Sequence, residues 1–156
     1  MRLKICAVGR LRAGPERALC DDYRQRCDRT GRALGLGPLT ITEVEDRKGG
    51  GIAAEAALLS NAVPKGALVC LLDERGSALS STALADRLAH WCDAGRPEVA
   101  FLIGGADGLD PELGNSTDFA LSFGSMVWPH MLARAMLTEQ LYRAATILAG
   151  SPYHRS

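Results

Sequence analysis

The carboxyl end of this 156-residue chain carries more reactive side chains than a terminus needs. A helical run from Pro129, PHMLARAMLTEQLYRAATILAG, stops at Gly150 and is followed by SPYHRS. The chain has three histidines and three tyrosines, and two of each fall here: His130, His154, Tyr142 and Tyr153. Arg134, Arg143 and Arg155 stand among them. Gly150 as a helix C-cap and Pro152 beyond it account for a polar stop signal. They do not account for Tyr153-His154-Arg155. An imidazole moves protons, a phenol donates hydrogen bonds and stacks, and a guanidinium neutralises phosphate or a developing anion. His130 follows a proline at a helix start, where a structural hydrogen bond competes evenly with a catalytic reading.

A second set of residues lies in glycine-bearing turns. LIGGADGLD (102–110) lacks the Gly-Lys-Ser/Thr of a Walker loop, and its spacing is not G-x-G-x-x-G. A tight turn needing positive φ explains it equally well. The binding alternative sets the bare backbone of Gly104 against a flat ligand such as an adenine. LLDERG (71–76) is another strand end running into charges, with Leu72 last in the apolar run. SFGSMVW (122–128) is less usual: Phe123, Met126, Val127 and Trp128 are punctuated by Gly124 and Ser125. Facing solvent, such a loop makes an apolar slot with backbone donors and acceptors, the common anatomy of a small-molecule pocket. G-x-S-x-G, a spaced Ser-His-Asp set and clustered zinc ligands are all missing, so hydrolase and metal readings have no support.

These residues need elements to position them. LKICAVG (3–9) reads as a strand, and Leu19, Tyr23 and Cys27 at fourfold spacing predict a helix over 14–33. LTITEVE (39–45) alternates as a strand, and Gly49–Gly51 break the chain before a short Ala/Leu helix ending near Val63. ALVCLLDE (67–74) and VAFLIGG (99–105) are continuous apolar runs, as expected of strands buried on both faces. Between them, Ser80 or Ser81 caps a helix lined by Leu84, Leu88 and Trp91. FALSFG (119–124) is the fifth strand, and the last helix starts at Pro129. The alternation predicts one domain over 1–156, a three-layer α/β fold with a mainly parallel sheet. Ligands of such sheets bind at the strands' carboxyl ends. Those ends read Val8-Gly9-Arg10, Leu72-Asp73-Glu74, Ile103-Gly104-Gly105 and Ser122-Phe123-Gly124.

Composition narrows the class. No apolar run approaches the roughly 20 residues of a membrane span, and MRLKICAVGR has too short an apolar stretch for a secretory leader. A cytoplasmic protein with five reduced, packed cysteines is expected. Net charge is zero, yet residues 1–32 hold nine Lys/Arg against four acids. A solvated helix face and a phosphate-contacting surface both explain that excess, because phosphate binding needs only a local field.

FLIGGADGL, LSFGSMVWPHMLARAMLTEQLYRA and the terminal SPYHR together resemble the RlmH family of 23S rRNA pseudouridine N3-methyltransferases, within the SPOUT class. The likeness is strongest over 99–155 and reaches VGR and LLDERG upstream. It implies an α/β (trefoil) knot in the C-terminal part, a homodimer, and S-adenosylmethionine as the methyl donor. The implied cofactor residues are Leu72, Gly104 and the loop Phe123, Gly124, Ser125, Met126, Val127 and Trp128. By the same resemblance the substrate is a pseudouridine of 23S rRNA in the assembled ribosome, with no metal and no membrane. Tyr153 then orients the base, His154 assists loss of the imide proton, and Arg155 completes the catalytic set. Arg134, Tyr142, Arg143 and His130 are assigned to the substrate side. The basic helix 14–33, through Arg24, Arg26 and Arg29, is expected against rRNA phosphates. Phe123, Gly124, Trp128 and Ala106-Asp107 depart from the family's usual residues. Two rival readings are a nucleotide-binding α/β protein and a non-catalytic ribosome assembly factor.

Overall fold

A computed structural model describes residues 1–155. Its five strands are β1 (Arg2–Val8), β2 (Leu39–Val44), β3 (Leu68–Ala78), β4 (Glu98–Ile103) and β5 (Phe119–Ser122). The helices are α1 (Pro15–Gly31), α2 (Gly51–Ala62), α3 (Ser81–Asp93) and α4 (His130–Leu148). All strand pairs are parallel, in the order β2-β1-β4-β3-β5.

The period of two along the strands sorts the core into two layers. Leu3, Ile5 and Ala7 of β1 and Val99, Phe101 and Ile103 of β4 join one cluster with α1, α3 and α4. Cys6, Val8 and Leu102 join the other, with Leu59 of α2 and Leu113. Because β4 is central, all six of its residues are buried. Leu137 and Leu141 of α4 are fully buried, each stabilising the fold by about 1.5–3 kcal/mol. Ser80 caps α3, its Oγ accepting the Ala83 N–H at 3.1 Å.

Three local features differ from, or add to, the expected elements. On α1 the buried row is Cys20 and Cys27, while Leu19 is 41% exposed. The helix turns this row toward Leu11 and Ala135 of α4 as well as the sheet. LDPELGNS forms a 3₁₀ helix, Pro111–Ser116, whose Asp110 carboxylate accepts the Glu112 N–H at 2.9 Å. Strand β3 runs past 74 to Ala78, with a bulge that lets Leu121 pair both Leu72 and Ser77. A Cβ at Gly76 would lie 2.6 Å from the Ala120 carbonyl oxygen, so only glycine fits there.

The path after β5 positions the site. Residues 123–129 leave the sheet edge and cross the carboxyl ends of β3 and β4, bringing His130 beside Gly9 at the end of β1. Helix α4 then packs against both α1 and α3. This is the crossing that the knotted α/β topology requires. Of the five free thiols four are buried, and burial pushes Cys6 up to about 11 and Cys27 and Cys70 to about 12. They are packing groups, as expected. Among the described residues no helix is long and apolar enough to cross a membrane.

Candidate functional site

Three chain segments and the start of α4 close over the strand ends and leave a cavity of about 380 Å³. Its walls are Leu72–Arg75 at the bulge of β3, Ile103–Leu109 at and beyond the end of β4, and Phe123, Gly124 and Met126–Trp128 after β5, with His130 and Ala133 from α4. The volume is in the range of small-molecule sites. Leu72, Gly104 and all but Ser125 of the expected 123–128 set are brought together here, and Ser125 is exposed beside them.

The GGADG segment is a tight turn that lines the cavity. Gly108 N–H donates to the Gly105 carbonyl at 3.1 Å, and Gly108 has φ +80. A Cβ on Gly104 would lie 2.6 Å from the Gly108 carbonyl group, so the turn folds tightly onto that residue. On the opposite wall, Ser122 Oγ donates to the Glu74 carbonyl and accepts the Gly124 N–H, each at 3.0 Å. Gly124 takes φ +102 and starts the exposed run in which Met126 is 70% and Val127 88% accessible. Asp73 is held by Arg75, whose Nε and terminal nitrogen donate at 3.0 and 2.8 Å, and this keeps its carboxyl below the usual range.

Arg134 stands elsewhere. It is 2% exposed, donating to Glu43 Oε2 at 2.7 Å and to the Gly9 and Val8 carbonyls at 3.0 and 3.3 Å. So placed it clamps α4 to the end of β1, outside the cavity. Burial alone would raise the Glu43 carboxyl, but the Leu11 N–H and the Arg134 guanidinium outweigh it and the net shift is downward. That contribution to stability is therefore present above the carboxyl's unfolded pKa and is lost as pH falls through the lower folded value. Arg134→Met is expected to cost about 2–4 kcal/mol in urea unfolding, because two carbonyls lose their donor. Glu43→Gln should flatten the acid limb of the stability profile; an unchanged limb would show that this pair does not titrate with folding.

The tail folds back along α4. Glu139 Oε1 accepts from Arg143 Nε at 2.9 Å and from the Tyr153 hydroxyl at 3.0 Å. Tyr153 lies on Tyr142 with ring centroids 4.6 Å apart, and Tyr142 on Tyr23 at 5.9 Å. The Arg143 guanidinium stands 4.8 Å from the Tyr153 ring, and its NH1 is 3.4 Å from His154 Nδ1. A guanidinium only donates, so this contact favours the tautomer in which Nδ1 accepts and Nε2 carries the N–H. Burial, with hydrogen bonds to Tyr23 and Glu139, pushes the Tyr153 phenol up, so it stays a neutral donor. Arg155 is exposed. Tyr23 and Glu139 were not singled out from the sequence; the signal was Glu139 four residues before Arg143 on one helix face.

Two clusters thus exist, and one chain does not join them. His130 in the cavity wall and Glu139 under the tail are nine residues apart on α4, about 14 Å along its axis. Between them runs an open groove of about 570 Å³, walled by Leu19, Tyr23, Leu79, Leu132, Met136 and Gln140. It is larger than the cavity, but its walls are helix faces rather than strand ends. Among the described residues no group of acids, histidines and cysteines could hold a metal.

Residues 1–154 match the family described as "Predicted SPOUT methyltransferase". The chain is 68% identical over 155 residues, 99% of both chains, to a ribosomal RNA large subunit methyltransferase H from Dinoroseobacter shibae. It is 66% identical to the protein of that name from Ruegeria pomeroyi, again over 99% of each. A solved probable methylase family protein from Haemophilus influenzae superposes with a TM-score of 0.51 at 14% identity, covering 99% of this chain and 70% of the other. That last likeness concerns the fold alone.

Proposed function

This chain belongs to the SPOUT methyltransferase family, and we propose that it transfers a methyl group from S-adenosylmethionine to N3 of a pseudouridine in large-subunit ribosomal RNA. It is an rRNA methyltransferase, as its full-length relatives are named. The observation that carries the finer reading is the pairing of a strand-end cavity with a Tyr-His-Arg tail set anchored on Glu139, which stands nine residues, about 14 Å, along α4 from His130.

The cavity suits the donor. Glycine backbones at 104, 105 and 108 form one wall without side-chain obstruction, and the apolar run 126–128 forms the other. Leu72, Gly104 and residues Phe123 to Trp128 would hold it. When bound, S-adenosylmethionine supplies a methyl already activated by a sulfonium. The protein must then align the nucleophile and help it lose its proton.

N3 of pseudouridine is a weakly acidic imide nitrogen, flanked by two carbonyls that take the charge as the proton leaves. His154 meets the substrate through Nε2–H, because Nδ1 is engaged by Arg143. It therefore assists by stabilising the imide anion, whose proton passes to solvent water, rather than by taking the proton itself. Arg155 adds positive charge there. Tyr153 is held as a rigid platform by Glu139 and Tyr142 for stacking on the base. Arg143 orders the tail, and Arg134 holds the cavity wall in place.

Two copies complete the site. The open apolar groove along α1 and α4, with exposed Leu19 and Met131 beside it, is continuous with the cavity through Phe123 and Gly124. A second copy seated there brings its tail to the first copy's cavity and explains how a terminus is catalytic. Calorimetry should give micromolar S-adenosylmethionine binding, and labelled methyl should pass to ribosomes and not to free rRNA. Binding without transfer would favour an assembly factor; a phosphate-bearing ligand binding in its place would favour the nucleotide reading.

A further inference from the structure

Behind His130 lies a second recess that methyl transfer does not use. It has a volume of about 410 Å³ between α1, the turn after β1 and strand β2. Arg10 enters it from the turn after β1, and Arg17 and Arg24 from α1. Seven residues apart, those two stand on one face of the helix, two turns from each other. Arg134 lines its base, with a buried Nε that has no hydrogen-bond partner.

The acids beside Arg17 and Arg24 pair with them only loosely. Asp21 is 3.8 Å from Arg17 Nε, and Asp28 is 3.8 Å from Arg24 NH1. Both distances exceed a hydrogen bond, so the guanidinium donors are not used up. Arg10 is exposed and makes no salt bridge among the described residues. Glu43 is spent on Arg134 and the Leu11 N–H. The recess keeps a positive excess in a chain of zero net charge.

Its position matters as much as its charge. Ala133 lines the methyl cavity and the next residue, Arg134, lines the recess. The Gly9–Arg10 turn passes between them, with Gly9 against His130. Arg26 and Arg29 do not line this recess; Arg26 stands 5.9 Å over the Tyr23 ring, on the tail side.

We propose that Arg10, Arg17 and Arg24 form a phosphodiester subsite that grips the RNA backbone beside the target nucleotide. The proposal rests on the rRNA methyltransferase reading and adds to it where the strand runs. Contacts to the strand's backbone beside the pocket would hold the target nucleotide in register, and guanidiniums two helical turns apart present repeated forked donors to successive phosphates.

The test compares the native chain with Arg10→Ala/Arg17→Ala/Arg24→Ala, the matching triple lysine variant, and Arg47→Ala as an exposed control. Ribosome co-sedimentation is measured over a salt series without methyl donor, and methyl transfer is measured separately. The alanine triple should weaken ribosome binding about tenfold or more and flatten the log–log salt slope by about 2, at roughly 0.7 per lost single-strand phosphate contact. Its kcat and S-adenosylmethionine affinity should stay within about twofold, and the lysine triple should regain most of the slope. An unchanged slope overturns the subsite. So does a lost affinity that a single-stranded oligoribonucleotide cannot compete for, because the contact is then to protein. If the native chain binds ribosomes but transfers no methyl, the methyltransferase reading fails, and the subsite stands or falls on the sedimentation series alone.

Discussion

Removing residues 153–156 is expected to leave S-adenosylmethionine binding within about twofold and to lower methyl transfer by about a thousandfold or more. That size follows from losing an anion-stabilising donor set together with the group that orients the base. Binding survives because the donor cavity is walled by 72–75, 103–109 and 123–133, none of which rests on the tail. Point variants separate the roles. His154→Gln keeps an N–H donor and should retain clearly more activity than His154→Ala. Equal loss in both, with a pH–rate limb removed, would instead make His154 the proton acceptor. Tyr153→Phe loses the hydroxyl that Glu139 accepts but keeps the ring on Tyr142. It should therefore lose less than the deletion does. Mixing tail-deleted with cavity-blocked chains should restore part of the activity if the tail works across the dimer, and none if it works within one chain.

Gly104→Ala should produce the second large effect, a fall in S-adenosylmethionine affinity of about a hundredfold with the fold intact. The added Cβ would lie 2.6 Å from both the carbon and the oxygen of the Gly108 carbonyl and 3.0 Å from the Leu109 nitrogen. These are backbone atoms of a closed turn, which cannot rotate away as a flexible side chain can. The 105–109 wall must move instead, at a cost of about 1–3 kcal/mol. A shift of about 1 Å in a binding wall is enough to cost two decades. Gly114→Ala is the control: its Cβ would meet nothing within 4 Å, and its backbone is not left-handed. Calorimetry measures the affinity and thermal unfolding checks the fold. Unchanged affinity in Gly104→Ala would move the donor out of this cavity.

Much of this architecture is legible in the sequence because the strands obey a simple rule. LVCLL and VAFLI are apolar throughout, and a strand reads that way when helices cover both its faces. The caps and stops are equally local, as Ser80 and Gly150 illustrate. The parts that escape are those set by distant packing. Nothing in the fourfold row Leu19, Tyr23 and Cys27 says that α1 will lean on α4 and leave Leu19 in an open groove. Arg134 looked like a phosphate ligand because arginine usually is one at the surface. Its burial against Gly9 and Glu43 depends on a crossing of the strand ends that ordinary connection rules disfavour. The tail shows both sides. Its residue types advertise chemistry, but only the hydrogen bonds to Glu139 and Arg143 tell which atom of His154 faces outward.

The most direct test of the account is nucleotide-resolved mass mapping of large-subunit rRNA from cells with and without this protein. One pseudouridine should carry a methyl on N3 when the protein is present, lose it when the gene is removed, and regain it with the native chain but not with the tail-deleted one. Identical spectra in all strains, or a methyl found on a ribose or on another base, would contradict it.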